Sequence, residues 1–277
     1  MNYIIANSII QSKQGGRIME IFEFDGQKYK QSSKHQKEWG KELISQLALK
    51  GDETILDLGC GDGILTEQLS SFVPNGKVIG IDASTGMIET AKEIKKINLE
   101  FIQMDINNLS FADKFDIIFS NATLHWIKDH NKLLRKAYKA LKTNGVILWD
   151  FGASGNCSNF FEVVQNKIKD ERYTQNFENF EWPWYMPSLS EYENLVSSIG
   201  FSETSISEIN RDRFFSDSSE MIKWIDQPSI VPFLQYLPDD LKNTFRQEVV
   251  EEMIKKTHQK DGSCFETFRR IRVYAVK

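Results

Sequence analysis

Along the middle of the chain, short apolar blocks alternate with segments in which apolar residues recur every three or four positions. The blocks at 54–58, 77–82, 99–105, 115–121 and 145–151 are rich in Ile, Leu, Val and Phe, as strands inside a sheet require. The segments between and around them predict helices at 35–49, 63–73, 84–96 and 130–142. A regular strand–helix alternation of this kind predicts an α/β fold with a doubly wound, mostly parallel sheet. Later elements extend it: a helix at 189–199, a strand at 201–209, helices at 217–226 and 239–258, and a closing strand at 271–276, for seven strands in all.

Two stretches depart from the alternation. From Ser154 the chain becomes aromatic and irregular, through Trp182-Pro-Trp-Tyr-Met-Pro187. At the start, residues 1–18 show no clear amphipathic period, and Gly15-Gly16 stands just ahead of Met19. The expected organisation is therefore a tail at 1–22, with Met19 as an alternative natural start. A core follows at 23–153, a lid insert at 154–188, and at 189–277 the completion of the sheet with a second helical lid insert.

Composition narrows the classes of function. The chain has 277 residues, 40% of them hydrophobic, enough for one large core with an appended subdomain. A net charge of −5 disfavours a nucleic-acid partner, which wants a basic face. No run of apolar residues is long enough for a membrane span, and Met1 to Ile10 lacks a basic leader region. Cys60, Cys157 and Cys264 form no C-x-x-C pair, so neither a disulfide framework nor a zinc site is expected, and no metal is. These features predict a cytoplasmic protein, monomer or homodimer, acting on a small molecule.

The chemistry concentrates where the first strand ends. Asp57-Leu-Gly-Cys-Gly-Asp-Gly63 places Gly59, Gly61 and Gly63 in a strand-to-helix turn, so a ligand can approach the backbone. The spacing is G-x-G-x-G, not the G-x-G-x-x-G of pyrophosphate-binding dinucleotide folds. Asp57, two residues ahead of the first glycine, would repel a pyrophosphate but hold an ammonium. A nucleotide bearing an amino acid fits both facts, and S-adenosylmethionine is such a ligand. Asp82, ending the second strand, stands where a carboxylate accepts both ribose hydroxyls, although it could also cap the helix that starts beside it. Asp105, ending the third, can accept the adenine amino hydrogen.

Asp57-Leu-Gly-Cys-Gly-Asp-Gly63 resembles the first motif of the class I, Rossmann-like S-adenosylmethionine-dependent methyltransferases. That resemblance implies cofactor contacts at Asp57, Leu58, Gly59, Cys60, Gly61, Gly63, Asp82, Ala83, Met87, Met104, Asp105, Ile106, Asn121 and Ala122. Within the superfamily, Asn121-Ala-Thr-Leu-His-Trp126 with Asp129-His130, and the patterns Ser219 to Trp224, Phe233 to Leu237 and Arg270 to Ala275, are similar to the trans-aconitate methyltransferases. His125 stands where that family has Gln, and a related insect group of acid methyltransferases also has His-Trp there. Tyr29 and Gln36 lie in a segment resembling the family's helix that closes over the cofactor.

In-line methyl transfer requires alignment and exclusion of water, and a carboxylate acceptor arrives ionised, so it needs no general base. His125 and Trp126 are the candidate catalytic residues. His125 would orient the reacting oxygen or, for a hydroxyl acceptor, remove its proton; the alternative is that Trp126 packs and His125 is a satisfied polar group. An acceptor with spare carboxylates wants guanidinium groups, for which Arg211 and Arg213 are candidates, with Arg269 and Arg270 further ones and Trp184 as an aromatic contact. The expected activity is methyl transfer to an oxygen of a small molecule, a carboxylate of the trans-aconitate type. Alternatives are a phenolic or other natural-product acceptor, a catalytically silent S-adenosylmethionine-binding protein, and an NAD-dependent oxidoreductase.

Overall fold

The computed structural model describes residues 10–14, 17–21 and 34–277. Two strands near the start, β1 (Ile10–Gln14) and β2 (Arg17–Ile21), pair antiparallel with Ile10 opposite Ile21. The main elements then follow as α1 (Lys34–Ile44), β3 (Thr54–Leu58), α2 (Ile64–Phe72), β4 (Lys77–Asp82), α3 (Thr85–Ala91) and β5 (Leu99–Gln103). Next come β6 (Phe115–Asn121), α4 (His130–Ala140), β7 (Leu141–Gly152), α5 (Ser158–Lys167), α6 (Leu189–Ser197) and β8 (Glu203–Asn210). The chain finishes with β9 (Arg213–Phe215), α7 (Ser218–Trp224), α8 (Val231–Leu234), α9 (Asp239–Thr257), β10 (Cys264–Glu266) and β11 (Arg269–Val276).

Seven strands form one sheet in the order β5-β4-β3-β6-β7-β11-β8. The first five are parallel to their neighbours, with Leu56 opposite Ile79 and Ile118, and Asn121 opposite Asp150. Strand β11 runs the other way: the Lys277 N–H bonds the Gly145 carbonyl at 2.9 Å, while the Ala153 N–H bonds Arg269 at 2.9 Å. The Arg272 guanidinium meets the buried Asp150 carboxylate at 3.0 Å, joining β11 to β7 by an ion pair as well as by the backbone.

The strands read as nearly continuous apolar runs because helices cover both faces. On one face Leu43, Ile44, Leu69 and Val73 of the helices and the segments after them pack against Ile55, Val78, Ile117, Phe119 and Leu148. On the same face, nearer the edge strand, Ile88 and Ala91 of α3 pack against Cys60 and against Phe101, which pairs with Gly80 two residues beyond Val78.

The chain divides into two compact units, one of residues 1–151, 189–207 and 272–277, the other of 152–188 and 208–271. In the second, α5 replaces the irregular structure expected after Ser154. Phe160, Val163, Val164 and Lys167 make its buried stripe. Its N-terminus has no local side-chain cap; the carboxylate of Glu266, on β10, accepts the Asn159 N–H at 3.1 Å and the Phe160 N–H at 2.9 Å. Glu266 also accepts the Thr267 N–H at 2.7 Å and is fully buried. Glu266→Ala should therefore lower the unfolding free energy by about 3 kcal/mol, because one buried donor and two half-buried ones lose their acceptor. Denaturant titration with far-ultraviolet dichroism would show this; a loss below about 1 kcal/mol would mean that water replaces the carboxylate.

Other departures from the expected elements are local. Helix α3 stops at Ala91, where tighter turns, with Glu93 N–H on Thr90 and Ile94 N–H on Ala91, close the helix five residues before its expected end at 96. Strand β7 begins at Leu141, directly after α4, with an irregularity in register between Phe115 and Ile117. The pair β9–β10 was not expected; Phe214 lies opposite Phe265.

Candidate functional site

The parallel register levels the carboxyl ends of β3 to β7 at one edge, the place where open α/β sheets bind ligands. Past Leu58 the chain enters the glycine loop. Gly59, Gly61 and Gly63 take φ of 73°, 54° and 81°, values that glycine adopts without strain. Gly59 has a second constraint, since a Cβ there would lie 2.1 Å from Thr123 Cγ2. The loop is tied to β4 by the Gly59 and Cys60 N–H groups, both on the Ile81 carbonyl at 2.8 and 2.9 Å. Gly63 then caps α2.

Three carboxylates stand at this edge. Asp57 is buried and accepts the Thr66 hydroxyl at 2.7 Å; burial pushes its carboxyl up to about 7. Asp82 accepts the Gly61 N–H on Oδ2 at 3.0 Å and the Ser84 N–H on Oδ1 at 2.9 Å. Capping of α3 falls to Ser84, whose hydroxyl accepts the Met87 N–H at 3.3 Å. Asp105 heads the short turn Ile106–Asn108 and accepts the Asn107 N–H at 2.8 Å. Met104 is held through its N–H to the Asp82 carbonyl at 2.9 Å, and Ala83 through its carbonyl to Gln103 Nε2 at 3.3 Å. Met87 and Ile106 are buried beside them in sequence. Cys60 is buried as well, and burial raises its thiol well above the ordinary range, which suits packing and not nucleophilic chemistry.

Helix α1 joins the edge through β6. Asn121 Nδ2 donates to the Gln36 carbonyl at 3.0 Å, and Lys37 meets Asp62 of the glycine loop at 2.7 Å. The side-chain oxygens Gln36 Oε1 and Asn121 Oδ1 are buried without a hydrogen-bond partner among the described residues. Such orphaned acceptors are costly unless a ligand supplies donors. Together with a loop that lacks Cβ atoms at Gly59, Gly61 and Gly63, they fit a ligand that carries an ammonium and hydroxyl groups. Ala122 follows at φ 59°, strained for alanine, its N–H on the Asp150 carbonyl at 2.8 Å. The turn Leu124–Trp126 completes the edge, with the His125 and Trp126 rings 5.8 Å apart.

A family model described as a methyltransferase domain matches residues 49–192, more than half of the chain. The chain belongs to that family. The methyltransferase is of class I, a seven-stranded Rossmann-like fold that uses S-adenosylmethionine, and the oxidoreductase alternative is thereby set aside. Over 86% of its length it is 28% identical to an uncharacterized methyltransferase of Schizosaccharomyces pombe, of which it covers 91%. Over 83% it is 26% identical to the trans-aconitate 2-methyltransferase of an Enterobacter species, covering 88% of that protein. Among solved structures it resembles phosphoethanolamine N-methyltransferase 2 of Haemonchus contortus in complex with S-adenosyl-L-methionine. There the TM-score is 0.58 at 19% identity, across 91% of this chain and 56% of that one.

Of the residues expected from sequence, those from Gln36 to Trp126 in the methyltransferase gather at the carboxyl edge of the first unit. Tyr29 lies outside the described residues. Trp184, Arg211 and Arg213 belong to the second unit. Trp184 stacks on Phe161 with centroids 5.2 Å apart, in a cluster with Trp182 and Phe233. The Arg211 N–H bonds the Phe268 carbonyl at 2.8 Å. Arg213 pairs with Glu220 at 2.6 Å. Of the further arginines, Arg269 pairs with Asp212 and bonds Asn210 at 2.8 Å, and Arg270 is buried. Sequence reasoning assigned no role to Thr123, Lys37 or Gly40. A Cβ on Gly40 would lie 2.2 Å from Leu65, so glycine lets α1 approach α2; a lone glycine within a helical pattern was the available signal.

Among the described residues no helix is long and apolar enough to cross a membrane, and no group of three or more His, Cys, Asp or Glu is arranged to hold a metal ion.

Proposed function

We propose that the methyltransferase esterifies a carboxylate of a small organic acid of the trans-aconitate type. What carries this reading is the 26% identity to a trans-aconitate 2-methyltransferase across 83% of the chain. The residues suit such chemistry. Bound S-adenosylmethionine supplies the electrophilic methyl group. Asp82 accepts the ribose hydroxyls, Asp105 the adenine amino hydrogen, and Gln36 Oε1, Asn121 Oδ1 and the field of Asp57 receive the ammonium. His125 orients the acceptor oxygen, with Trp126 beside it to exclude water. No base is required, because the acceptor is already ionised at neutral pH. Three free, buried thiols are in keeping with a cytoplasmic location.

The test is a screen of small carboxylic acids and phenols against S-adenosylmethionine labelled in its methyl group. Methyl esters, trans-aconitate ester among them, are the expected products. Ethers alone would replace the carboxylate reading by a phenolic one, and transfer only to nitrogen would remove both.

A further inference from the structure

The turn Leu124–Trp126 carries both residues placed at the acceptor. The Thr123 hydroxyl at its head makes no capping bond and donates instead to the Gly59 carbonyl at 3.2 Å. Its backbone closes through the Trp126 N–H on Thr123 at 3.0 Å and the Ile127 N–H on Leu124 at 2.9 Å. The Leu124 carbonyl has a second partner, His130 Nε2, also at 2.9 Å. His130 Nδ1 lies 2.9 Å from the Tyr192 hydroxyl, on α6. A carbonyl can only accept, so Nε2 carries the ring proton and Nδ1 accepts from the hydroxyl; the network assigns the tautomer. The imidazole is 2% exposed, walled by Phe151 and Tyr192 at centroid distances of 5.2 and 5.4 Å. Burial lowers its pKa to about 4, so the ring is neutral at neutral pH and keeps its acceptor nitrogen for Tyr192. The neighbouring Asp129 is engaged in capping α4, accepting the Lys132 N–H at 2.9 Å.

We propose that His130 and Tyr192 are positioning residues for methyl transfer. A buried relay, Tyr192 hydroxyl to His130 ring to Leu124 carbonyl, fixes the turn that presents His125 and Trp126. This rests on the reading of those two as acceptor-side residues. The relay acts through the turn alone: neither His130 nor Tyr192 is assigned a contact with cofactor or acceptor. A buried ring bonded at both nitrogens adds a directional tie to the turn's own backbone bonds, and displacement of a reacting group by a fraction of an ångström is costly in rate.

Tyr192→Phe keeps the ring packing against Phe151 and removes only the donor. Its expected signature is a thermal midpoint and an S-adenosylhomocysteine affinity close to those of the parent, with kcat for trans-aconitate reduced about tenfold and KM little changed. His130→Gln retains one donor and one acceptor and should recover part of the activity that His130→Ala loses. A second readout needs no acceptor. The chain has four histidines, so nitrogen-15 spectra of histidine-labelled protein can follow each ring. His130 should remain in its Nε2–H form down to pH 5, and the His125 signals should move in Tyr192→Phe. Unmoved His125 signals would overturn the relay. A kcat loss matched by an equal loss of cofactor affinity or of folded protein would reduce it to a stability effect and likewise overturn it. If the parent protein forms no ester from trans-aconitate, the acceptor reading fails, and the His125 signals still decide the relay.

Discussion

Asp82→Ala should lower affinity for S-adenosylhomocysteine by at least about 100-fold. Two losses combine. The carboxylate organises the glycine loop through the Gly61 N–H at 3.0 Å and the start of α3 through the Ser84 N–H at 2.9 Å, and alanine leaves both donors without that acceptor. It is also the proposed acceptor for the ribose hydroxyls. Hydrogen bonds to a charged group contribute about 1.5–3 kcal/mol each, so losing the ribose pair alone amounts to two to four decades in the binding constant. Asp82→Asn, which retains one oxygen, should fall between the two. Calorimetric titration with S-adenosylhomocysteine decides it: undiminished binding by the alanine variant would remove Asp82 from the site.

What the amino-acid sequence reveals and what it hides follow one physical division. The alternation from β3 to β7 is legible because β3, β4, β6 and most of β7 are buried on both faces, which demands a local composition whatever the partners are. The glycine loop is legible for a similar reason: left-handed backbone at three positions leaves a local trace. Helix α5 was hidden, although Phe160, Val163, Val164 and Lys167 have helical spacing. Its N-terminal acceptor is Glu266, 107 residues from Asn159, and no local rule anticipates a cap from so far away. The pair β9–β10 was hidden likewise, since three-residue strands acquire meaning only from each other. At the site, the acids at strand ends announce themselves, whereas the His130 relay does not. Its hydroxyl donor lies 62 residues away, and within its own helix His130 reads as an ordinary residue after a cap. The orphaned oxygens of Gln36 and Asn121 emerge only from the folded chain, where burial and hydrogen bonding can be compared atom by atom.

Asp57→Asn should shift two properties in opposite directions. Burial raises the Asp57 carboxyl from an ordinary 3.8 to about 7, with the Thr66 hydroxyl opposing the shift. Between those values the folded protein holds a proton that the unfolded chain has released, so stability falls as pH rises from near 4 to near 7. By pH 8 the accumulated cost is about 4 kcal/mol at 1.36 kcal/mol per pH unit, and asparagine, neutral throughout and still able to accept from Thr66, escapes it. The ligand-free variant should therefore unfold at higher temperature than the parent at pH 8, and the gap should close towards pH 4. Cofactor binding should move the other way. An ammonium favours the ionised carboxylate, so the parent protein must lose the Asp57 proton to bind fully, and its affinity for S-adenosylhomocysteine should decline below pH 7 by up to about tenfold per unit. The asparagine variant should bind more weakly at pH 8 and show no such decline. Equal thermal midpoints for the two proteins at pH 8 would show that the carboxylate is not desolvated. A parent affinity that is flat from pH 6 to pH 8 would place the ammonium out of reach of Asp57 and leave it to the oxygens of Gln36 and Asn121.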